Sequence, residues 1–206
     1  MRIFIIGATG HTGKQLIDVA LARGHSITAF VRSPQKLEAL AHPRLSVVRG
    51  DPHDTDALAA ALPGHDAVCS ALGVQPPTAF RPHTLVGDCA ASTVAAMTRV
   101  HVQRLVLVSV AVLFPMPGLR FRFFRWMLQH IARDLSAAEA IVQASSLEWT
   151  LARPPRLTGG RGERYRARDG AMPDRGKPLP FRALAVFMID AIEAHHHVRQ
   201  VVGIEG

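Results

Sequence analysis

The chain opens with an apolar segment, Arg2-Ile3-Phe4-Ile5-Ile6, that runs directly into three glycines spaced three apart, Gly7, Gly10 and Gly13. Beyond them Leu16, Ile17, Ala20 and Leu21 recur at helical spacing. An unbroken apolar run of this length is a buried parallel strand, so the glycines fall where a strand turns into a helix. A helix N-terminus presents N–H groups without acceptors and the positive end of its dipole, and both attract phosphate. In that setting Gly7 permits the tight turn, Gly10 lets backbone approach a phosphate, and Gly13 lets the helix lie close on the strand. The spacing is G-x-x-G-x-x-G rather than the usual G-x-G-x-x-G, but strand, glycines and helix come in the required order. The rival phosphate motif, G-x-x-x-x-G-K-[ST], does not fit. Counted back from Gly13-Lys14 its first glycine is Ala8, and its metal-binding hydroxyl is Gln15, which argues against a nucleoside triphosphatase.

Strand and helix signals then alternate. Ser26 to Val31 and Leu45 to Arg49 are the second and third predicted strands, with a short helix from about Pro34 to Ala41 between them. Asp54 is placed to cap a helix through Leu62, and Asp66 to Leu72 form a fourth strand ending at Gly73. An Ala-rich helix over Thr84 to Val100 leads to a fifth strand, Arg104 to Ser109. After Pro115, Pro117 and Gly118 the pattern turns helical from Phe121 to Ala144, and Leu147 to Ala152 form a sixth strand. Thr158 to Pro180 is a long loop with a short hairpin expected around Tyr165, before a helix from Phe181 to Ala194 and a last strand, Gln200 to Ile204. This order predicts an α/β fold, a doubly wound parallel sheet with helices on both faces. With 206 residues, 48% of them hydrophobic, one core is expected. Residues 110–130 and 153–180 then supply substrate-side elements of the same single domain, 1–206.

The formal charge of +8 is almost wholly arginine, since only Lys14, Lys36 and Lys177 are lysines among 24 basic residues. It favours anionic ligands. No nucleic-acid motif accompanies it, and no apolar run of about 18 residues or charged-then-apolar leader is found. A cytoplasmic protein without nucleic-acid or integral membrane partners is expected. Cys69 and Cys89 have neither metal nor redox spacing and are expected as buried thiols. His195, His196 and His197 are consecutive and cannot share one helical face, so no metal site is expected.

In a sheet of this kind the residue just beyond the second strand meets the adenosine ribose, a carboxylate there suiting NAD and an arginine the extra phosphate of NADP. Here that position is Val31-Arg32-Ser33. Arg32 offers a planar fork, Ser33 a hydroxyl, and Lys36 lies one turn into the next helix, so NADP(H) is preferred over NAD(H). Asp51, after the third strand, is placed to meet the adenine edge or to form a turn. The fourth strand ends in Ala71-Leu72-Gly73, where a cofactor can cross the carboxyl ends of the strands. Ser109, at the same rim of the fifth strand, can polarise a carbonyl or hold the nicotinamide amide.

With Gly-Ala-Thr-Gly-His-Thr-Gly at 7–13, Val31-Arg32, Gly50-Asp51, Ser109 and Leu147-Glu148-Trp149-Thr150-Leu151-Ala152-Arg153-Pro154-Pro155, the chain resembles the atypical short-chain dehydrogenases. Within them it is similar to the NADPH-dependent flavin and biliverdin-IXβ reductases and the NmrA-like proteins, over nearly its whole length. The resemblance implies a Rossmann fold. It also implies cofactor contacts at Gly7, Thr9, Gly10, His11, Thr12, Gly13, Arg32 and Lys36, with Ser109, Pro154 and Pro155 beside nicotinamide and substrate. The Tyr-x-x-x-Lys pair of ordinary short-chain dehydrogenases is missing: the only tyrosine is Tyr165, and Arg133 to Glu139 contains no lysine. Lacking that acid, such a site suits a planar acceptor of the flavin, quinone or tetrapyrrole kind better than a simple ketone. A non-catalytic NADP(H) sensor of the NmrA-like type is the alternative, and an epimerase or dehydratase comes third.

Three further features are open. Phe114, Phe121, Phe123, Phe124, Trp126 and Met127, interleaved with Arg120, Arg122 and Arg125, suit a substrate lid or a core helix. Arg153, Arg156, Arg161, Arg164, Arg166 and Arg168 suit an acidic acceptor or plain solvent. Glu139 is expected to be structural.

Overall fold

The computed structural model describes residues 1–73, 81–115, 123, 126–174 and 176–206. Strand β1 (Arg2–Ile6) feeds helix α1 (His11–Ala22), followed by β2 (Ser26–Val31), β3 (Leu45–Arg49), α2 (Thr55–Ala61) and β4 (Ala67–Ser70). Then come α3 (Leu85–Arg99), β5 (Arg104–Val108), α4 (Gln129–Ala144), β6 (Glu148–Arg153), β7 (Leu157–Thr158), β8 (Arg166–Asp169), β9 (Leu179–Pro180), α5 (Phe181–Glu193) and β10 (Gln200–Glu205). Eight strands form one sheet in the order β3-β2-β1-β4-β5-β6-β10-β8, parallel throughout except for β8, which runs antiparallel to β10. This is the doubly wound α/β domain that the alternation predicts.

The apolar run of β1 is buried on both faces because helices cover both. Ile3 and Ile5 face one layer with Leu16, Ile17 and Ala20 of α1 and Leu184, Phe187 and Met188 of α5. Phe4 and Ile6 face the other with Met97 of α3 and Leu135 and Val142 of α4. Each such large side chain contributes roughly 1.5–3 kcal/mol. Strand order reverses between β1 and β4, so the loops leaving their carboxyl ends diverge and open a crevice there.

Local chemistry fixes the element ends. Asp54 caps α2, its Oδ1 accepting from the N–H groups of Asp56 and Ala57, both at 3.0 Å. Arg104, 4% exposed, donates to the carbonyls of Glu148 (2.7 Å), Ala191 (2.8 Å) and His196 (2.9 Å), tying β5 to the C-terminal end of α5. Glu139 of α4 accepts from Nε (2.8 Å) and Nη2 (2.5 Å) of Arg153 at the end of β6, a bidentate pair that is almost fully buried.

Three expectations are corrected. The helix from Pro34 to Ala41 is only a 3₁₀ turn over Pro34–Leu37, anchored by buried Leu37. The fourth strand ends at Ser70: the N–H of Ala71 makes the last bond to β1, at the Ile6 carbonyl (2.9 Å), and the chain then leaves the sheet. No hairpin forms around Tyr165. Instead β8 pairs with β10, covering an edge that needs partners, and Arg166 bonds the fully buried carboxylate of Glu205. Tyr165 itself donates to Asp190 at 2.6 Å.

Two predictions concern this framework. A Cβ on Gly13 lies 2.2 Å from the Gly7 carbonyl oxygen and 2.6 Å from Ala8 Cα, neither of which is free to yield. Gly13→Ala should cost roughly 1–3 kcal/mol, lowering Tm by about 3–10 °C in a circular-dichroism melt; an unchanged Tm contradicts the close approach. Glu139→Ala leaves Arg153 buried without its partner and should cost about 3–5 kcal/mol in chemical denaturation. The double variant Glu139→Leu/Arg153→Met should recover most of that loss, and additive losses contradict the coupling.

Candidate active site

The crevice becomes a cavity of about 460 Å³. Its walls are Gly10 with His11 and Thr12 at the start of α1, Ala71, Leu72 and Gly73 after β4, and Val108 at the end of β5 with Ser109 and Val110 after it. His83 and Val86 at the start of α3 and Ile131, Asp134 and Leu135 of α4 line the far side, with Leu157 and Phe181 closing it. The His11 ring stacks on Phe181, centroids 5.0 Å apart and planes 21° from parallel.

Gly7 and Gly13 pack as their spacing predicts. Gly7 has φ +80°, and a Cβ there falls 2.7 Å from the carbonyl carbon and oxygen of Ala71, so the β1 and β4 loops touch only because Gly7 has no side chain. Gly10 is the N-cap of α1 and makes no side-chain cap, and no acid lies in the first turn of the helix. The first N–H groups of α1 therefore face the crevice uncapped and without a competing carboxylate. These features fit a dinucleotide pyrophosphate.

Arg32 is exposed at the end of β2, followed by half-buried Ser33 and exposed Lys36. Among the described residues neither Arg32 nor Lys36 has a carboxylate within 4.0 Å. Asp51 accepts from the His53 N–H (3.1 Å) and lies 2.8 Å from His53 Nδ1. Those bonds hold its carboxyl below the usual range. Val31 pairs with Arg49 in the neighbouring strand, so Arg32 and Asp51 follow adjacent strand ends. His53 also reaches Cys89 Sγ at 3.5 Å. Burial pushes the thiols of both Cys89 and Cys69 up to about 12, so neither is a thiolate at neutral pH.

The cavity thus gathers Gly10, His11, Thr12, Ala71, Leu72, Gly73 and Ser109. Gly7 and Gly13 lie behind it as packing residues, and Thr9, Arg32, Ser33, Lys36 and Asp51 stand outside its wall. Pro154 is buried beneath it, its carbonyl accepting from the Ala111 N–H at 2.9 Å, and among the described residues neither Pro154 nor Pro155 lines it. Phe114 is buried with Ala111 and Met172, the Arg153 guanidinium 4.6 Å from its ring centroid. Phe123, Trp126 and Met127 are exposed, while Arg120, Phe121, Arg122, Phe124 and Arg125 lie outside the described residues. The arginine cluster does not converge: Arg153 belongs to Glu139 and Arg166 to Glu205, whereas Arg156, Arg161, Arg164 and Arg168 are exposed.

His83 and Asp134 escape sequence reasoning. The Nδ1 of His83 and Oδ2 of Asp134 lie 2.8 Å apart across a 51-residue separation, and no spacing rule joins them. Gln129–Ala144 contains neither tyrosine nor lysine, and Ile131 and Leu135, one turn apart, turn toward the cavity. Among the described residues no helix is long and apolar enough to cross a membrane.

Comparison with known proteins agrees with this geometry. Residues 7–195 match the family described as NAD(P)H-binding. Oxidoreductase stcQ of Emericella nidulans is 29% identical over 222 residues, covering 96% of this chain and 80% of that one. The oxidoreductase ylbE from Lactococcus lactis superposes with a TM-score of 0.85 at 19% identity, covering 100% of this chain and 91% of that one. A short-chain dehydrogenase/reductase from Veillonella parvula, solved in complex with NADP, gives 0.79 at 21% identity, covering 100% and 94%. These structural likenesses are of fold. The family match, over most of the chain, establishes that the chain belongs to the NAD(P)H-binding family.

Proposed function

We propose that the protein is an NADPH-dependent reductase that delivers hydride to a planar acceptor such as a flavin, a quinone or a tetrapyrrole. The observation that carries this reading is one continuous cavity, running from the uncapped start of α1 to Ser109 and walled on the far side by Ile131 and Leu135. A bound dihydronicotinamide supplies the hydride. The N–H groups of α1 hold the pyrophosphate, and Arg32 with Lys36 neutralises the adenosine 2′-phosphate. Val86, Ile131, Leu135 and Phe181 exclude water and offer flat apolar surface to a ring. The Ser109 hydroxyl, 6% exposed and without a partner among the described residues, is free to bond the carboxamide or an acceptor carbonyl.

The only tyrosine donates to Asp190, and burial followed by that carboxylate raises its pKa. A phenol so held is no acid for an alkoxide, which favours acceptors that take hydride readily. The acceptor determines how the reading is tested. Purified protein should bind NADPH, with a change in its fluorescence, and oxidise it when FMN or a quinone is added. Binding without turnover identifies a sensor instead, and no binding refutes both readings. Arg32→Glu should weaken NADPH by about 10- to 100-fold, roughly 1.4–2.8 kcal/mol, while changing NADH by less than about threefold. Equal loss for the two nucleotides contradicts the role of Arg32.

A further inference from the structure

Two polar atoms in the cavity wall are buried without any hydrogen-bond partner among the described residues, Nε2 of His83 and Oγ of Ser109. Native proteins seldom leave such atoms unpaired, and a bound ligand is a common reason. The His83 side chain is 8% exposed and that of Asp134 is fully buried. Asp134 also accepts from the N–H groups of Val86 (3.0 Å) and Gly87 (2.8 Å), at the start of the 15-residue helix α3. With its oxygens committed as acceptors, Asp134 assigns the shared proton to Nδ1 of His83, which donates to it. The imidazole is thereby fixed in orientation, and Nε2 is left without a partner among the described residues, on a residue that lines the cavity.

His83 also lines a second cleft, of about 520 Å³, together with Thr84, Asp88, His130 and Arg133. The ring stands between the two spaces. Reduction by hydride leaves one proton to be supplied: two electrons and one hydrogen arrive at the acceptor together, and negative charge is left on a ring oxygen or nitrogen.

We propose that His83, oriented by Asp134, is the proton donor to the reduced acceptor, and that it does the work for which ordinary short-chain dehydrogenases use tyrosine. The inference rests on the reductase reading above. Hydride from the dihydronicotinamide forms the first new bond on the acceptor. The Nε2–H bond of protonated His83 breaks as an O–H or N–H bond forms on the charged atom, so the acceptor gains one hydride and one proton. The imidazole remains as the Nδ1–H tautomer bonded to Asp134 and regains its proton from water. Asp88, His130 and Arg133, which share the second cleft, and Asp134 are the charged groups around it.

His83→Asn and His83→Gln, both with an amide donor for Asp134, test the proposal against a purely structural role. Two measurements are made: NADPH-dependent reduction of menadione, and binding of 2,6-dichlorophenolate, a stable mimic of the charged oxygen, to the complex with NADP⁺. In at least one folded variant kcat should fall by about 10²- to 10⁴-fold with NADPH affinity within about twofold. The phenolate should bind about tenfold more weakly, whereas neutral menadione binding should change little. If kcat or phenolate binding is unchanged, or if NADPH affinity falls in step with kcat, His83 is not the donor. A parent protein that binds NADPH but reduces neither quinone nor flavin refutes the reductase reading, and this inference with it.

Discussion

The approach of α1 to the strand that precedes it governs everything else in this molecule. Gly13 lies so close to the backbone of Gly7 and Ala8 that no side chain fits between them, and Gly7 touches Ala71 in the same way. These contacts bring the first turn of α1 to the point where strand order reverses between β1 and β4. A helix start displaced outward by a methyl group no longer aims its N–H groups across the crevice. The positive end of the helix dipole, the wall formed by Ala71 to Gly73 and the rim at Ser109 thus depend on two positions without a Cβ.

Downstream of that constraint the site divides into two chemistries. The end nearest β2 is cationic and exposed, with Arg32 and Lys36 beside a rim whose one carboxylate, Asp51, is already bonded to His53. The inner end is apolar and buried, and its few polar atoms are Ser109 Oγ and the His83–Asp134 pair. On the proposed reading the 2′-phosphate of NADPH lies at the first end, beside cations that no acid neutralises. The proposed planar acceptor lies at the second, where a single hydrogen bond counts for more. The buried Glu139–Arg153 pair holds α4 against the end of β6 behind this inner wall, so a carboxylate that never meets the ligand still fixes where Ile131, Asp134 and Leu135 stand.

Much of this architecture is legible in local patterns of the sequence. The bounds of β2 and β3 follow from alternation and turn residues, Asp54 announces its cap, and the glycine loop announces its helix. What local pattern misses is non-local. The pairing of β8 with β10 depends on a buried Glu205 that needs Arg166, which is 39 residues away, and the β7–β9 pairing joins two-residue segments with no period of their own. The six arginines from Arg153 to Arg168 resemble one basic patch in sequence, but two of them are spent on interior carboxylates. His83 lies in an irregular segment before a helix, and nothing near it in sequence hints at Asp134. Motifs record contiguous residues, whereas the His83–Asp134 pair joins the segment before α3 to α4.

The most direct test is a crystal structure of the protein with NADP⁺ bound. The account predicts the pyrophosphate over the N–H groups at Gly10 to Thr12, the 2′-phosphate within hydrogen-bond reach of Arg32, and the nicotinamide in the cavity beside Ser109 with its C4 toward the space before His83. A nucleotide whose phosphates lie away from the start of α1, or whose nicotinamide lies outside that cavity, contradicts it.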